Sequence, residues 1–198
     1  MKLVLASDNA HKLTEFRELF RSMDVELISK AESGFRDEVE ENGVTFEENA
    51  FIKAQAVMRA TGLPAVADDS GLCVDALNGD PGVLSARYTG NHHDSDEDRY
   101  RLVLKNMAGK ADRTARFVSA LCCVFPNGDV IRARGECPGR ILTAPCGEHG
   151  FGYDPIFQPE GFDCSMAELN MEEKNAISHR GRALAVFKTE WEKYYADK

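Results

Sequence analysis

A short apolar run at Ala65-Val66-Ala67 ends in two adjacent carboxylates, Asp68 and Asp69, followed by Ser70 and Gly71. A buried strand that stops this way delivers acids to the rim of a sheet, where ligands gather in open α/β folds. Adjacent carboxylates at such a place are costly unless a cation or hydrogen-bond donors compensate them. The chemistry they suit is that of a divalent metal. Asp, Ser and Gly are also turn formers, so the same residues would make an acidic turn.

Glu40 and Glu41 extend this acidic set. Mg²⁺ takes one or two carboxylates and completes its shell with phosphate oxygens and water. A remaining carboxylate could orient or deprotonate a water, which suits hydrolysis of a phosphoanhydride. The alternative is a solvated acidic loop. Glu47 and Glu48 are read as helix-start residues and not as ligands.

A second cluster is Ser7-Asp8-Asn9-Ala10-His11-Lys12, between an apolar run and a helical pattern. Backbone N–H groups at a helix start favour anions, and a lysine there adds charge, which suits phosphate. The glycine-rich P-loop pattern is absent. An ordinary cap at Asp8 or Asn9 with a solvated Lys12 would look the same. A third cluster joins Phe151-Gly152-Tyr153-Asp154 with Lys174, Ser178, His179 and Arg180. An aromatic ring beside glycine can lie under a base, with His and Arg donors at its edge. Core packing of Phe151 and a solvated His-Arg pair is the alternative. His11, His92, His93 and His149 show no ligand spacing and read as surface or loop residues. Phosphate grip, acid cluster and base platform together describe a nucleoside triphosphate site.

The elements that must carry these residues alternate between strand and helix. Lys2 to Ala6 reads as a buried strand. Leu13, Phe16, Leu19 and Phe20 recur at helical spacing up to about Arg21, and Val25 to Ile28 reads as a second strand. Lys30 to Gly43 is an acidic loop. Thr45 and Glu48 fit a capping box for a helix that Gly62 and Pro64 stop near Thr61. Asn78 to Gly90 reads as loop and Asp94 to Met107 as helix. Thr114 to Phe125 alternates poorly but is rich in β-formers. Pro126-Asn127-Gly128-Asp129 then signals a hairpin returning along Val130 to about Leu142. A glycine-rich loop spans Cys146 to Pro155, and Ser165 to Glu168 fits another capping box. Lys174 to Arg182 is polar and basic. The last helix runs to about Tyr195, with Leu184, Phe187, Trp191 and Tyr194 or Tyr195 on its apolar face. The pattern is that of one α/β domain, residues 1–198, with a mixed sheet.

The bulk numbers agree with that class. The chain has 198 residues, 43 % apolar and 29 % charged, enough for one sizeable core. A net charge of −9 argues against a general nucleic-acid binder but not against a small anionic ligand. No apolar run is long enough to span a membrane, and the N-terminal one is too short for a signal peptide, so a cytoplasmic protein is expected. Its six cysteines have no zinc or Cys-x-x-Cys spacing, and most read as small buried hydrophobes.

The chain closely resembles the inosine triphosphate pyrophosphatase family, the Ham1-like non-canonical purine nucleotide pyrophosphatases. The resemblance rests on six pieces in family order: Ser7 to Lys12; Glu40 to Ala50 with Lys53; Ala67 to Leu72; Pro81 to Tyr88; Phe151 to Phe157; and Lys174 to Gly181. It implies a long mixed sheet flanked by helices in two lobes, with the active site in the cleft, and a homodimer. It implies Mg²⁺-dependent hydrolysis of dITP, ITP and XTP to the monophosphate and pyrophosphate. Carried over by position, Ser7, Asp8, Asn9, Ala10, His11, Lys12 and Lys53 would hold the triphosphate. Glu40 and Asp69 would bind metal, with Asp69 also the general base, and Ser70 would contact substrate. Phe151 would stack on the base, with Gly152, Tyr153, Asp154, Lys174, His179 and Arg180 framing it. A Maf-like nucleotide pyrophosphatase and a non-catalytic nucleotide sensor are the competing readings. The Ser-His-Arg-Gly ending disfavours the first and the intact carboxylate set the second.

Overall fold

The structure is a computed structural model, describing residues 1–91 and 93–196; His92, read above as a loop residue, lies outside the described residues. Six strands form one sheet in the order β2-β1-β3-β4-β5-β6. They are β1 (Lys2–Leu5), β2 (Glu26–Ser29), β3 (Ala65–Val74), β4 (Thr114–Val124), β5 (Val130–Ile141) and β6 (Phe157–Pro159). β1 runs parallel to β2, Leu3 opposite Leu27, and parallel to β3, Leu5 opposite Val66. β5 and β6 are antiparallel, with Arg140 opposite Gln158, so the sheet is mixed as expected. The helices are α1 (Ala10–Phe20), α2 (Phe46–Thr61), α3 (Asp96–Asn106), α4 (Met171–Ile177) and α5 (His179–Ala196).

Local chemistry explains where the helices begin. The Asn9 side chain accepts from the Lys12 N–H at 3.0 Å and starts α1. Thr45 and Glu48 make the expected capping box of α2, and Gly62, at φ +68°, closes it. Ser95 with Asp98 caps α3, and Asn170 with Glu173 caps α4. The Ser165–Glu168 box is real but heads only a 3₁₀ turn, Met166–Glu168. α4 was not expected: its seven residues are too few to show a period. β6, with three residues, is equally illegible. The stretch read as loop from Asn78 to Gly90 contains a 3₁₀ segment, Gly82–Arg87. β4 alternates poorly because it is buried on both faces from Phe117 to Val124.

The chain divides into two compact units. The first comprises Met1–Asp69, Ser119–Gly135 and the residues from Gly181 onward. Its core packs Leu3, Leu5, Val66, Leu121 and Phe125 with Phe16 and Phe20 of α1 and Leu184 and Phe187 of α5. The second comprises Ser70–Val118 and Glu136–Arg180, with a core of Leu72, Val103, Phe117, Ile141, Ile156, Phe157 and Met166. The boundary falls inside β3, between Asp69 and Ser70. Cys73, Cys122, Cys123 and Cys137 are buried as expected, whereas Cys146 is exposed and Cys164 half-buried. No helix among the described residues is long and apolar enough to cross a membrane.

Candidate active site

In the first unit, β3 carries Asp68 and Asp69 fully into the interior, 1 % and 7 % exposed. Successive strand residues point to opposite faces, so these neighbours find different partners. Asp68 pairs with the Lys12 ammonium at 2.8 Å and accepts from the Ser119 hydroxyl at 2.6 Å. Asp69 pairs with Lys53 at 2.9 Å and accepts from the Asn49 amide at 3.3 Å. Asn49 and Lys53 sit four residues apart on α2, hence on one face. Lys53 also holds Glu41 at 3.2 Å.

The acidic loop is fastened to the same helix. The Gly43 N–H donates to Asn49 Oδ1 at 2.9 Å, which leaves the Asn49 amide nitrogen to serve Asp69. A Cβ at Gly43 would lie 2.7 Å from that Oδ1, so only glycine lets the loop approach this closely. Glu41 is thereby brought to Lys53, while Glu40 remains exposed.

Three acids, Asp68, Asp69 and Glu41, thus meet two ammonium groups, Lys12 and Lys53. Burial raises the Asp69 carboxyl above its ordinary value, the Lys53 and Lys12 charges pulling the other way. Burial works to lower the Lys53 pKa, but the charges of Asp69 and Glu41 outweigh it, and the ammonium form is favoured. An acid with a raised pKa is a better proton acceptor than an ordinary surface carboxylate.

Before α1, the Ser7 hydroxyl accepts from the Asn9 N–H at 3.2 Å. Asp8, Asn9, Ala10 and His11 are exposed, and Lys12 is half-buried. The loop therefore presents the N-terminal end of α1 at the surface with Lys12 beside it, an arrangement whose dipole and charge favour an anion.

The second unit assembles the other predicted cluster. Phe151 is half-buried, with the Lys174 ammonium 5.0 Å and the Arg180 guanidinium 5.1 Å from its ring centre. Asp154 is buried, pairs with Lys174 at 2.9 Å and accepts from the Phe151 N–H at 3.0 Å. A Cβ at Gly150 would lie 2.1 Å from Asp154 Oδ2, which explains that glycine. Gly152 donates its N–H to Asp96 at the start of α3 at 2.7 Å. Tyr153 is buried and donates to the Ser85 carbonyl at 2.7 Å; burial raises its pKa, so it acts as an anchor. Arg180 donates to the Ser70 hydroxyl at 2.8 Å. His179 is buried and stacks on Phe117, with ring centres 4.8 Å apart.

Sequence reasoning missed Asn49, Ser119 and Asp96. The Asn49–Lys53 spacing on a capped helix was a usable signal. Ser119 is separated from Asp68 by 51 residues, and Asp96 from Gly152 by 56, and nothing local announces either contact.

Among the described residues no group of three or more His, Cys, Asp or Glu side chains is arranged for a metal ion. Those side chains offer no all-protein cage among the described residues. The arrangement suits a cation held by one or two carboxylates, with phosphate and water supplying the rest. Each oxygen of Asp69 retains a second acceptor direction beyond its bond to Lys53 or Asn49.

Known proteins resemble this chain over nearly its whole length. The model of the Ham1 family matches residues 3–190. A dITP/XTP pyrophosphatase of Lactiplantibacillus plantarum is 47 % identical over 196 residues, covering 98 % of this chain and 96 % of its own. One from Gluconobacter oxydans is 50 % identical over 186 residues, 94 % of this chain and 88 % of its own. Among solved structures, a HAM1 protein from Coxiella burnetii superposes with a TM-score of 0.89 at 42 % identity, covering 98 % of this chain and 99 % of that one.

Proposed function

The chain belongs to the Ham1 family, and from that premise we propose that it hydrolyses non-canonical purine nucleoside triphosphates to the monophosphate and pyrophosphate. dITP, ITP and XTP are the substrates, and dITP and XTP stand in the names of its relatives. The observation that carries the reading is Asp69: a buried acid with a raised pKa, held between Lys53 and Asn49. The chain acts as a single pyrophosphatase domain.

Asp69 accepts the proton of the attacking water. Lys12, Lys53 and the loop from Ser7 to Lys12 at the start of α1 hold the triphosphate. Glu40 and Asp69 are the ligands for Mg²⁺; Glu41 is already held by Lys53. When bound, the cation supplies Lewis-acid stabilisation of charge on the phosphoryl oxygens. Asp68 serves differently, since together with Ser119 it holds the Lys12 ammonium in place.

Phe151 stacks on the base. Gly152, Tyr153 and Asp154 fix that ring, and Lys174, His179 and Arg180 supply donors to the base edge. Ser70, held by Arg180, contacts substrate. Hypoxanthine and xanthine present an acceptor oxygen at C6, whereas adenine presents a donor amino group. A donor facing a donor leaves polar groups unpaired, at about 1–3 kcal/mol each, which is how polar pockets discriminate. The protein works as a homodimer in the cytoplasm, with neither nucleic acid nor membrane as partner.

The test is a substrate panel with Mg²⁺, scored separately for pyrophosphate and orthophosphate. Pyrophosphate from dITP and XTP, released far faster than from dATP or dGTP, is expected. Equal rates on dATP would remove the base-edge argument, and orthophosphate as product would overturn the pyrophosphatase reading.

A further inference from the structure

Asp8 sits oddly in a loop meant for a highly charged anion. It lies between Ser7 and Asn9, beside N–H groups and the Lys12 chain that favour negative charge, yet it is itself an acid. Left to itself, its carboxylate would repel phosphate oxygens. The structure shows where its charge goes. Asp8 Oδ2 lies 2.5 Å from the ammonium of Lys30, a residue just past β2 that is 5 % exposed.

Lys30 is held from several sides. Its ammonium donates to the Asp37 carbonyl at 3.0 Å and lies 5.5 Å from the centre of the Phe35 ring. Its own carbonyl accepts from the Ser33 hydroxyl at 2.5 Å and from the Phe35 N–H at 3.2 Å. The Glu32 carboxylate accepts from the Ser29 N–H at 2.6 Å, tightening the same turn. A buried ammonium requires a counter-charge, and of these contacts Asp8 is the anionic one.

We propose that Lys30 is a positioning residue whose charge cancels that of Asp8, so that the Ser7–Lys12 loop meets the triphosphate without an opposing negative charge. The proposal rests on the reading of that loop as the triphosphate site. It separates the two contributions of Asp8: its backbone belongs to the anion-receptive turn, while its side chain must be neutralised for that turn to work. A purely mechanical tether makes a different prediction, because cutting it from either end would damage the loop alike.

The experiment is a double-mutant cycle on dITP hydrolysis with Mg²⁺, using Lys30→Met, Asp8→Asn and the double variant, at low and high ionic strength. Lys30→Met is expected to raise KM about tenfold at low salt, with kcat within about twofold, because the Asp8 charge is then uncompensated. Asp8→Asn is expected to lower KM, because the Lys30 charge is then unopposed. The double variant is expected to return towards the wild-type KM, and all shifts to shrink in high salt. An Asp8→Asn variant whose KM rises or stays unchanged, or a Lys30→Met KM that the second change fails to restore, overturns the proposal. If Lys30→Met does not fold, the direction of the KM shift in exposed Asp8→Asn decides alone. Failure of the wild-type protein to release pyrophosphate from dITP would instead refute the underlying functional reading.

Discussion

Lys53–Asp69 in the first unit and Lys174–Asp154 in the second are the same pair by geometry, each 2.9 Å long with both side chains buried. Their surroundings differ in sign. Around Lys53 the acids outnumber the cations, Asp68, Asp69 and Glu41 against Lys12 and Lys53. Around Asp154 the cations lead, with Lys174 and Arg180 both over the face of Phe151. Asp154 is further fixed by the Phe151 N–H at 3.0 Å, whereas Asp69 adds to its ion pair a longer bond, 3.3 Å, from Asn49. An excess of acid invites a cation and leaves a carboxylate to take a proton. An excess of cation over an aromatic ring invites an electron-rich, acceptor-bearing base. The lesson is that an ion pair has no function of its own; the charge left over around it decides.

The largest effect that would break this contrast is at Asp69. Asp69→Asn keeps the volume and the contact with Lys53 but cannot accept the water proton. Turnover is expected to fall by about 10²–10⁴-fold, while nucleotide binding, followed by calorimetry, persists. Near-normal turnover would move the base to Asp68 or to another group and erase the difference between the pairs.

Next in size is stability. Removing one partner of a buried pair costs about 3–5 kcal/mol, so Lys174→Met and Lys53→Met should both lower the urea midpoint. The acid-rich cluster left by Lys53→Met can accept Mg²⁺ in place of the lysine, so millimolar Mg²⁺ should recover part of its loss and none of that of Lys174→Met. Equal recovery in both variants would show that the surplus acids do not bind the cation.

The smallest effect is at the ring. Stacking of a base on an aromatic side chain is worth about 1–3 kcal/mol. Phe151→Ala should therefore raise KM by tenfold or so with kcat little changed, the reverse of Asp69→Asn. A loss confined to kcat would mean that Phe151 shapes the reaction and not the binding of the base.

Much of this was legible from residue order. The Thr45–Glu48 box, the Gly62 stop and the Asn9 cap are contacts within a few residues, and each appears where the pattern put it. So does the hairpin turn at Asn127-Gly128 between β4 and β5, whereas β3 does not stop at its paired acids as expected but runs on through Asp68, Asp69, Ser70 and Gly71 to Val74, so the acids lie buried within the strand and not at its rim. What escaped were elements too short to carry a period, β6 and α4, and partners remote in the chain.

The sequence by itself determined which groups exist and which local turns and caps hold them, because hydrogen bonds over three or four residues depend on little else. It also determined the family, since six ordered motifs leave few alternatives. Only the tertiary structure decided how the adjacent acids divide their roles. Asp68 pairs with Lys12 because strand alternation sends it towards Ser119, and Asp69, which we propose as the base, faces Lys53 and Asn49 on α2. The same holds for Glu41 being brought to Lys53 while Glu40 stays exposed, and for Lys30 reaching Asp8. A buried charge must be compensated by whatever the fold brings to it, and that partner is set by packing across the chain rather than by its neighbours in sequence.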